Sequence, residues 1–155
     1  MVNVVKIGCI GCGGNANGHM RRLHGMERAD IVAVCDIREE LSQRAAEAYE
    51  AEAYTDHKKM LERDDLDAVY ISIPVHVHSE PELDVIERGL PFLVEKPVAR
   101  DMQTALRVQE EVEAKGLLTA VGYQLRYTGA ADIAKEMLAE EKVGMAVAKY
   151  WSGSG

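Results

Sequence analysis

Short apolar runs alternate with longer amphipathic stretches along this chain. The apolar runs are continuous, which is typical of strands that are covered on both faces of a sheet. They predict strands over residues 4–10, 31–35, 68–73, 91–94, 117–121 and 145–151. The amphipathic stretches predict helices over residues 17–26, 38–51, 56–63, 79–88, 101–115 and 130–141.

Capping residues support several of these helix boundaries. Asp56 and Asp101 stand where a side chain caps a first turn, and Gly89 and Gly116 stand where a helix ends. Parallel strands need crossover connections, so strands that alternate with helices predict a doubly wound, mostly parallel α/β sheet with helices on both faces.

The stretch GCIGCGGNANGH follows the first predicted strand and leads into the first helix. It fits the pattern G-x-G-x-x-A through Gly11, Gly13 and Ala16. The first glycine permits a tight turn, the second lets a pyrophosphate approach the backbone, and the alanine keeps the helix close to the sheet. The helix N-terminus offers free N–H groups to the phosphates. A dinucleotide site is predicted, and a glycine-rich turn without a ligand is the alternative.

An acidic residue strengthens this interpretation. Asp36 ends the second predicted strand, 20 residues after Ala16, where a carboxylate accepts hydrogen bonds from the adenosine ribose. The same carboxylate repels a 2′-phosphate, so NAD is favoured over NADP. Arg38 leaves NADP as an alternative cofactor, since its guanidinium could bind the 2′-phosphate if the Asp36 side chain turned away. A methyltransferase, which also has a glycine-rich turn and an acid after its second strand, is the nearest rival.

Two further strand ends carry candidate chemistry. The third strand ends in Ser72-Ile73-Pro74, and the fourth leads into Glu95-Lys96-Pro97. Both lie at the carboxyl edge of the predicted sheet, where ligands of this fold class bind. A glutamate partner can position the Lys96 ammonium, and an ammonium beside a substrate hydroxyl favours the alkoxide that hydride transfer needs. An exposed Glu-Lys pair ahead of a helix is the structural alternative.

Composition narrows the classes of partner. The 155 residues carry 18 basic and 26 acidic side chains, and the net charge of −8 argues against nucleic acid or an anionic membrane. The start MVNVVKIG does not resemble a signal peptide, and no apolar run approaches the roughly 20 residues of a membrane span. A cytoplasmic location is expected. Cys9 and Cys12 form a CxxC, but Cys9 lies in an apolar run, so neither a redox role nor a metal site is expected.

Five stretches together resemble one known family. They are KIGCIGCGGNANGH, IVAVCDI, DAVYISIPVHVHSE, VEKPVAR and VGYQLRY. In this order they resemble the N-terminal, NAD(P)-binding Rossmann domain of the glucose–fructose oxidoreductase / inositol dehydrogenase / MocA family. The resemblance implies an oxidoreductase that moves a hydride between a nicotinamide and a secondary alcohol of a sugar, cyclitol or related polyol.

The resemblance also implies the residues of the cofactor site. Ala16 of the glycine motif and Arg38 beside Asp36 belong to the same predicted site. The other predicted cofactor-binding residues are Gly11, Gly13, Gly14, Asn15, Asp36, Ile37, Ser72, Ile73, Pro74, His78, Glu95, Lys96 and Gln124. Lys96 is the predicted catalytic residue. Arg126 falls with Gln124 at the next strand end. Val75 stands where many relatives carry Asn, so no side-chain contact to the cofactor is inferred there.

Family members carry a second, antiparallel-sheet domain that holds the substrate pocket and acid/base residues. This chain is expected to lack it, with a Rossmann domain over 1–144 and the start of the second domain over 145–155. Among the five histidines, none is assigned as the catalytic base, and His57 is expected at the surface. The tail is expected to pair with or pack against another copy of the chain, and docking on its own domain is the alternative.

The predicted function is an NAD-binding domain of a dehydrogenase, with little or no turnover by the chain alone. A non-catalytic module that responds to a dinucleotide is the second hypothesis. A methyltransferase is the third.

Overall fold

The computed structural model describes residues 4–145, 147 and 149. Its strands are β1 (Val5–Ile10), β2 (Ala29–Cys35), β3 (Glu52–Tyr54), β4 (Ala68–Ile71), β5 (Phe92–Val94) and β6 (Thr119–Val121). Its α-helices are α1 (Gly14–His24), α2 (Glu39–Tyr49), α3 (His57–Leu61), α4 (Glu80–Glu87), α5 (Met102–Lys115) and α6 (Gly129–Leu138). Two short 3-10 helices lie at Val75–Val77 and Gln124–Tyr127.

The strands form one parallel sheet in the order β3-β2-β1-β4-β5-β6. The predicted doubly wound Rossmann architecture is confirmed. The strands β1 to β3 are added toward one edge of the sheet, and β4 to β6 are added toward the other edge. The boundary between β1 and β4 is therefore a switch point, where ligands of this fold class bind. The edge strand β3 was not predicted, because its three residues carry too few apolar side chains to form a recognisable run.

Alternating side chains divide the core between the two faces of the sheet. Ile7, Cys9 and Val34 pack with α1 and α2 in one cluster. Ile10 and Ala33 belong to a second cluster, which includes buried residues of α3, α4 and α5. Because both faces are covered, the strands are continuous apolar runs, as their sequence indicated.

The predicted helix caps are confirmed. The Asp56 side chain accepts from the Lys58 N–H at 2.8 Å, and Asp101 accepts from the Thr104 N–H at 2.8 Å. Gly116 ends α5 with a φ of +61°, a left-handed conformation that glycine adopts without strain. The largest boundary differences are three residues each: α1 begins at Gly14 rather than at residue 17, and α6 ends at Leu138 rather than at residue 141.

The described chain separates into two compact units, Met1–Gly122 and Tyr123–Gly155. The first contains the whole sheet. In the second, Thr128 caps α6 by accepting from the Ala131 N–H. The predicted tail strand over 145–151 and its pairing with another copy fall largely on residues outside the described part, and the domain boundary at residue 145 stays a prediction. Among the described residues, no helix has both the length and the apolar character needed to span a bilayer.

Candidate functional site

The loop between β1 and α1 turns tightly against the end of β4. Gly11 has a φ of +96°, and its N–H donates to the Cys35 carbonyl at 2.7 Å. A Cβ atom at this position would lie 2.1 Å from the backbone oxygen of Ser72. Both the conformation and the close approach therefore require glycine here.

We expect Gly11→Ala to lower the free energy of unfolding by about 3 kcal/mol, since it adds both backbone strain and a clash with a fixed carbonyl. Urea unfolding followed by circular dichroism measures this change. Gly18→Ala is the matched control, because a Cβ atom at Gly18 in α1 meets nothing within 4 Å. That control should be neutral or slightly stabilising. Equal stability of the two variants would contradict the steric argument.

The first turn of α1 is open toward this loop. Gly13 precedes the helix in an extended conformation, and no side chain caps the turn. Asn17 instead fixes the loop from within the helix, since its Nδ2 donates to the carbonyls of Cys12 and Gly13 at 2.9 and 3.1 Å. A Cβ atom at Gly13 would meet nothing within 4 Å. The uncapped N–H groups and the open space beside them suit an anionic group.

Asp36 lies directly beside this loop. Its Oδ2 accepts from the Cys12 N–H at 2.9 Å, and its Oδ1 accepts from the Arg38 N–H at 3.0 Å. The Arg38 guanidinium lies 3.6 Å from Oδ1 and is mostly exposed. Each carboxylate oxygen accepts more than one hydrogen bond, so Asp36 still has acceptor capacity for ribose hydroxyls. Two backbone donors thus fix the carboxylate at the end of β2.

A cavity of about 920 Å³ runs along the carboxyl ends of the strands in the first unit. Its volume lies at the upper end of the range that is usual for ligand sites. The predicted site residues that line it are Gly11, Gly13, Gly14, Asn15, Ala16, Asp36, Ile37, Arg38, Ser72, Ile73, Pro74, Glu95 and Lys96. Lining residues that sequence reasoning missed include Thr55, His57, Val77 and Glu80.

The turn after β5 places Glu95 and Lys96 at one end of this cavity. Glu95 is buried, and its Oε2 accepts from the backbone N–H of Lys96 at 3.1 Å. Its Oε1 lies 2.7 Å from Nε2 of His19, a residue of α1. Among the described residues, no carboxylate lies within 4.0 Å of the Lys96 ammonium. The expectation that Glu95 pairs with this ammonium is therefore wrong: the glutamate accepts from the backbone N–H of Lys96 and pairs with His19 instead.

Two other histidines differ from their predicted surroundings. His78 is buried, and its Nδ1 lies 2.5 Å from Oε1 of Glu82. It is absent from the residues that line the described cavity, because its side chain is fully buried against Glu82 of α4. His57 is half-buried rather than at the surface, pairs with Asp84 at 2.7 Å and lines the cavity. The His57–Asp84 pairing does not follow from local sequence pattern, because the two residues are 27 positions apart, whereas His78 and Glu82 are an i,i+4 pair at the start of α4.

The three cysteines are buried thiols. Burial raises the pKa of Cys9, Cys12 and Cys35 to about 12 in each case. A nearby carboxylate, Asp36, raises the pKa of Cys12 further. Thiols in this state are poor nucleophiles and poor metal ligands at neutral pH, so the CxxC serves packing. Among the described residues, no group of three or more His, Cys, Asp or Glu side chains could hold a metal ion.

Gln124 and Arg126 belong to the second unit, where both lie in the short 3-10 helix Gln124–Tyr127. The Arg126 guanidinium lies 5.7 Å from the centre of the Tyr127 ring. Their predicted roles stay predictions.

Comparison with known proteins gives a consistent match. The family model GFO_IDH_MocA, described as an oxidoreductase family with an NAD-binding Rossmann fold, matches residues 5–123. Inositol 2-dehydrogenase 4 of Saccharopolyspora erythraea is 38% identical over 126 residues, which is 79% of this chain and 37% of that protein.

Solved structures agree. The myo-inositol dehydrogenase of Lactobacillus casei, in complex with NAD(H) and myo-inositol, is 30% identical with a TM-score of 0.81, and the match covers 88% of this chain and 41% of that one. A 3-ketoreductase of Actinomadura kijaniata, in complex with TDP-benzene and NADP, is 27% identical with a TM-score of 0.81, over 89% and 44% of the two chains. The chain thus spans about two fifths of the length of these relatives.

Proposed function

Because this chain belongs to the GFO_IDH_MocA family of oxidoreductases, we propose that its cavity binds NAD in preference to NADP, for a dehydrogenase that acts on a sugar, cyclitol or related polyol. The observation that carries the proposal is the continuity of the cavity, which joins the glycine loop, Asp36 and the Glu95–Lys96 turn. These three features correspond to the three parts of a dinucleotide: pyrophosphate, adenosine and nicotinamide.

The pyrophosphate lies against the glycine loop and the first turn of α1, where the backbone N–H groups have no side-chain cap. The adenosine ribose hydroxyls donate to Asp36. The adenine ring rests among Ile37, Thr55 and His57, which line that end of the cavity. Ile37 is 89% exposed, so a bound ring would cover apolar surface that water otherwise contacts.

The nicotinamide end of the site lies at Glu95 and Lys96. Bound NAD supplies the hydride acceptor. The Lys96 ammonium would contact the substrate hydroxyl and stabilise the negative charge that develops on its oxygen during hydride transfer. Lys96 is exposed and its backbone is held by Glu95, so its position is fixed while its ammonium remains available to a substrate.

The chain by itself should bind the cofactor with little or no turnover, because it spans only about two fifths of the length of the relatives that it matches. A regulatory module that senses a dinucleotide remains the second candidate, and steady-state turnover of the protein that contains this domain separates the two. The methyltransferase alternative is wrong, because the family match is to oxidoreductases.

Cofactor preference provides the direct test of this proposal. Calorimetric titration should show tighter binding of NAD(H) than of NADP(H), since Asp36 repels a 2′-phosphate. Asp36→Ala should weaken NAD(H) binding by roughly tenfold through the lost charge-assisted hydrogen bonds. It should also reduce the difference between the affinities for NAD(H) and NADP(H).

Asp30→Ala is the matched control, because Asp30 is exposed on the same strand, near its opposite end. It should leave both affinities unchanged. Equal or tighter binding of NADP(H) by the unmodified chain would overturn the preference and would make Arg38 a contact of the 2′-phosphate.

A further inference from the structure

A hydrogen-bonded chain of three side chains connects α1 to the turn that carries Lys96. The Tyr70 hydroxyl on β4 lies 3.0 Å from Nδ1 of His19, and Nε2 of His19 lies 2.7 Å from Oε1 of Glu95. The second carboxylate oxygen of Glu95 accepts the Lys96 N–H. Every link joins a different element of the fold: β4, α1 and the end of β5.

The donors and acceptors in this chain have one consistent direction. Burial raises the pKa of Tyr70 to about 12, and the nearby Glu95 carboxylate contributes to that rise, so the hydroxyl keeps its proton and donates to Nδ1. His19 then donates from Nε2 to the Glu95 carboxylate. The His19 and Tyr70 rings also pack together, with centroids 4.9 Å apart. The two hydrogen bonds and the ring contact therefore fix the orientation of the imidazole.

Glu95 has little freedom to move without this partner. Its side chain is 4% exposed, and a Cβ atom at Gly122 would already lie 3.1 Å from its Oε1. A buried carboxylate that loses a donor is costly, so Glu95 rotates toward the cavity to find another. This movement weakens the hydrogen bond that it accepts from the Lys96 N–H and alters the end of the cavity that Glu95 lines.

We propose that His19 is a positioning residue, which holds the Glu95 carboxylate and through it the turn that carries Lys96. This inference rests on the proposed dinucleotide site and adds a residue to it. His19 does not line the described cavity, so it acts on the nicotinamide end only through Glu95. The same contact ties the helix that faces the pyrophosphate to the turn that faces the nicotinamide.

The test compares two ligands and two nearly isosteric variants. NADH reaches both ends of the site, whereas ADP-ribose lacks the nicotinamide and reaches only the glycine loop and Asp36. In His19→Gln the side-chain amide extends to the position of Nε2 and still donates to Glu95. In His19→Asn the amide reaches only the position of Nδ1, so the contact with Tyr70 survives and the contact with Glu95 is lost.

Calorimetry should show that His19→Asn weakens NADH binding by about tenfold, as expected for a lost hydrogen bond to a charged group, while ADP-ribose binding changes less than twofold. His19→Gln should bind both ligands nearly as the unmodified chain does. His24→Asn is the matched control, since His24 lies on the same helix but is exposed, and both of its affinities should be unchanged.

Each other outcome is decisive. Equal NADH affinities of the Asn and Gln variants would overturn the inference, and so would an equal loss of NADH and ADP-ribose binding, which indicates a general structural role. Failure of the unmodified chain to bind either ligand would overturn the proposed function itself, and the inference with it. Urea unfolding confirms that the variants compared are folded, and the Asn and Gln side chains are similar enough that instability alone would affect both.

Discussion

Gly13→Val should lower the affinity for NAD by at least about 100-fold while leaving the chain folded, because an introduced side chain occupies the space that the pyrophosphate needs beside the backbone. Gly13 has a φ of −70°, which any residue adopts, and a Cβ atom there meets no protein atom within 4 Å. The substitution therefore acts on the ligand rather than on the fold. Calorimetric titration with NAD, together with a far-UV circular dichroism spectrum, measures both quantities.

Gly129→Val is the control for this result. Gly129 begins α6 in the second unit, and a Cβ atom there also meets nothing within 4 Å. The control should keep the NAD affinity of the unmodified chain. If Gly13→Val also retained NAD binding, the loop would be a turn without a phosphate site, and the proposed function would lose its main support.

Lys96→Met should lower kcat of the proposed dehydrogenase by roughly 100-fold or more, while cofactor affinity changes little. Methionine keeps the length and the apolar stem of the side chain but removes the ammonium, so charge stabilisation at the substrate hydroxyl is lost. The Lys96 N–H remains free to donate to Glu95, so the turn should keep its structure. Steady-state kinetics and calorimetry with NAD separate the two effects.

Lys59→Met is the matched substitution for comparison, since Lys59 is an exposed residue of α3 whose ammonium pairs with Glu62. It should leave kcat unchanged. A Lys96→Met enzyme with unaltered kcat would remove Lys96 from the mechanism and would require another group at the substrate hydroxyl.

The sequence predicted those parts of the fold that depend on neighbouring residues. The strands from β1 to β6 apart from β3, the caps at Asp56 and Asp101, and the end of α5 at Gly116 all follow from local pattern. β3 was not predicted, because its composition does not indicate a strand. Its strand conformation depends on its pairing with β2. The start of α1 at Gly14 was missed because glycines disfavour helix, whereas the bonds that Asn17 makes to the loop stabilise the first turn.

The candidate site was predictable where chemistry sits next to a strand end, as at Asp36 and Lys96. It was not predictable where partners are distant in the chain. His19 and Glu95 are 76 residues apart, and only the packing of α1 over the sheet joins them. One signal was present: His19 lies between Ala16 and Met20, both of which are buried. A histidine on the inner face of a helix needs a polar partner, although the pattern does not identify which one.

The two backbone bonds accepted by Asp36 bear on how cofactor preference could evolve or be engineered. Exchanging this aspartate for a small apolar residue would admit a 2′-phosphate, but it would also release the Cys12 and Arg38 N–H groups that the carboxylate fixes. A single substitution of this kind therefore loosens the phosphate loop in the same step in which it admits the 2′-phosphate. Serine or asparagine at this position would keep a side-chain acceptor for one of these donors while the charge is removed, so the loop should lose less of its support.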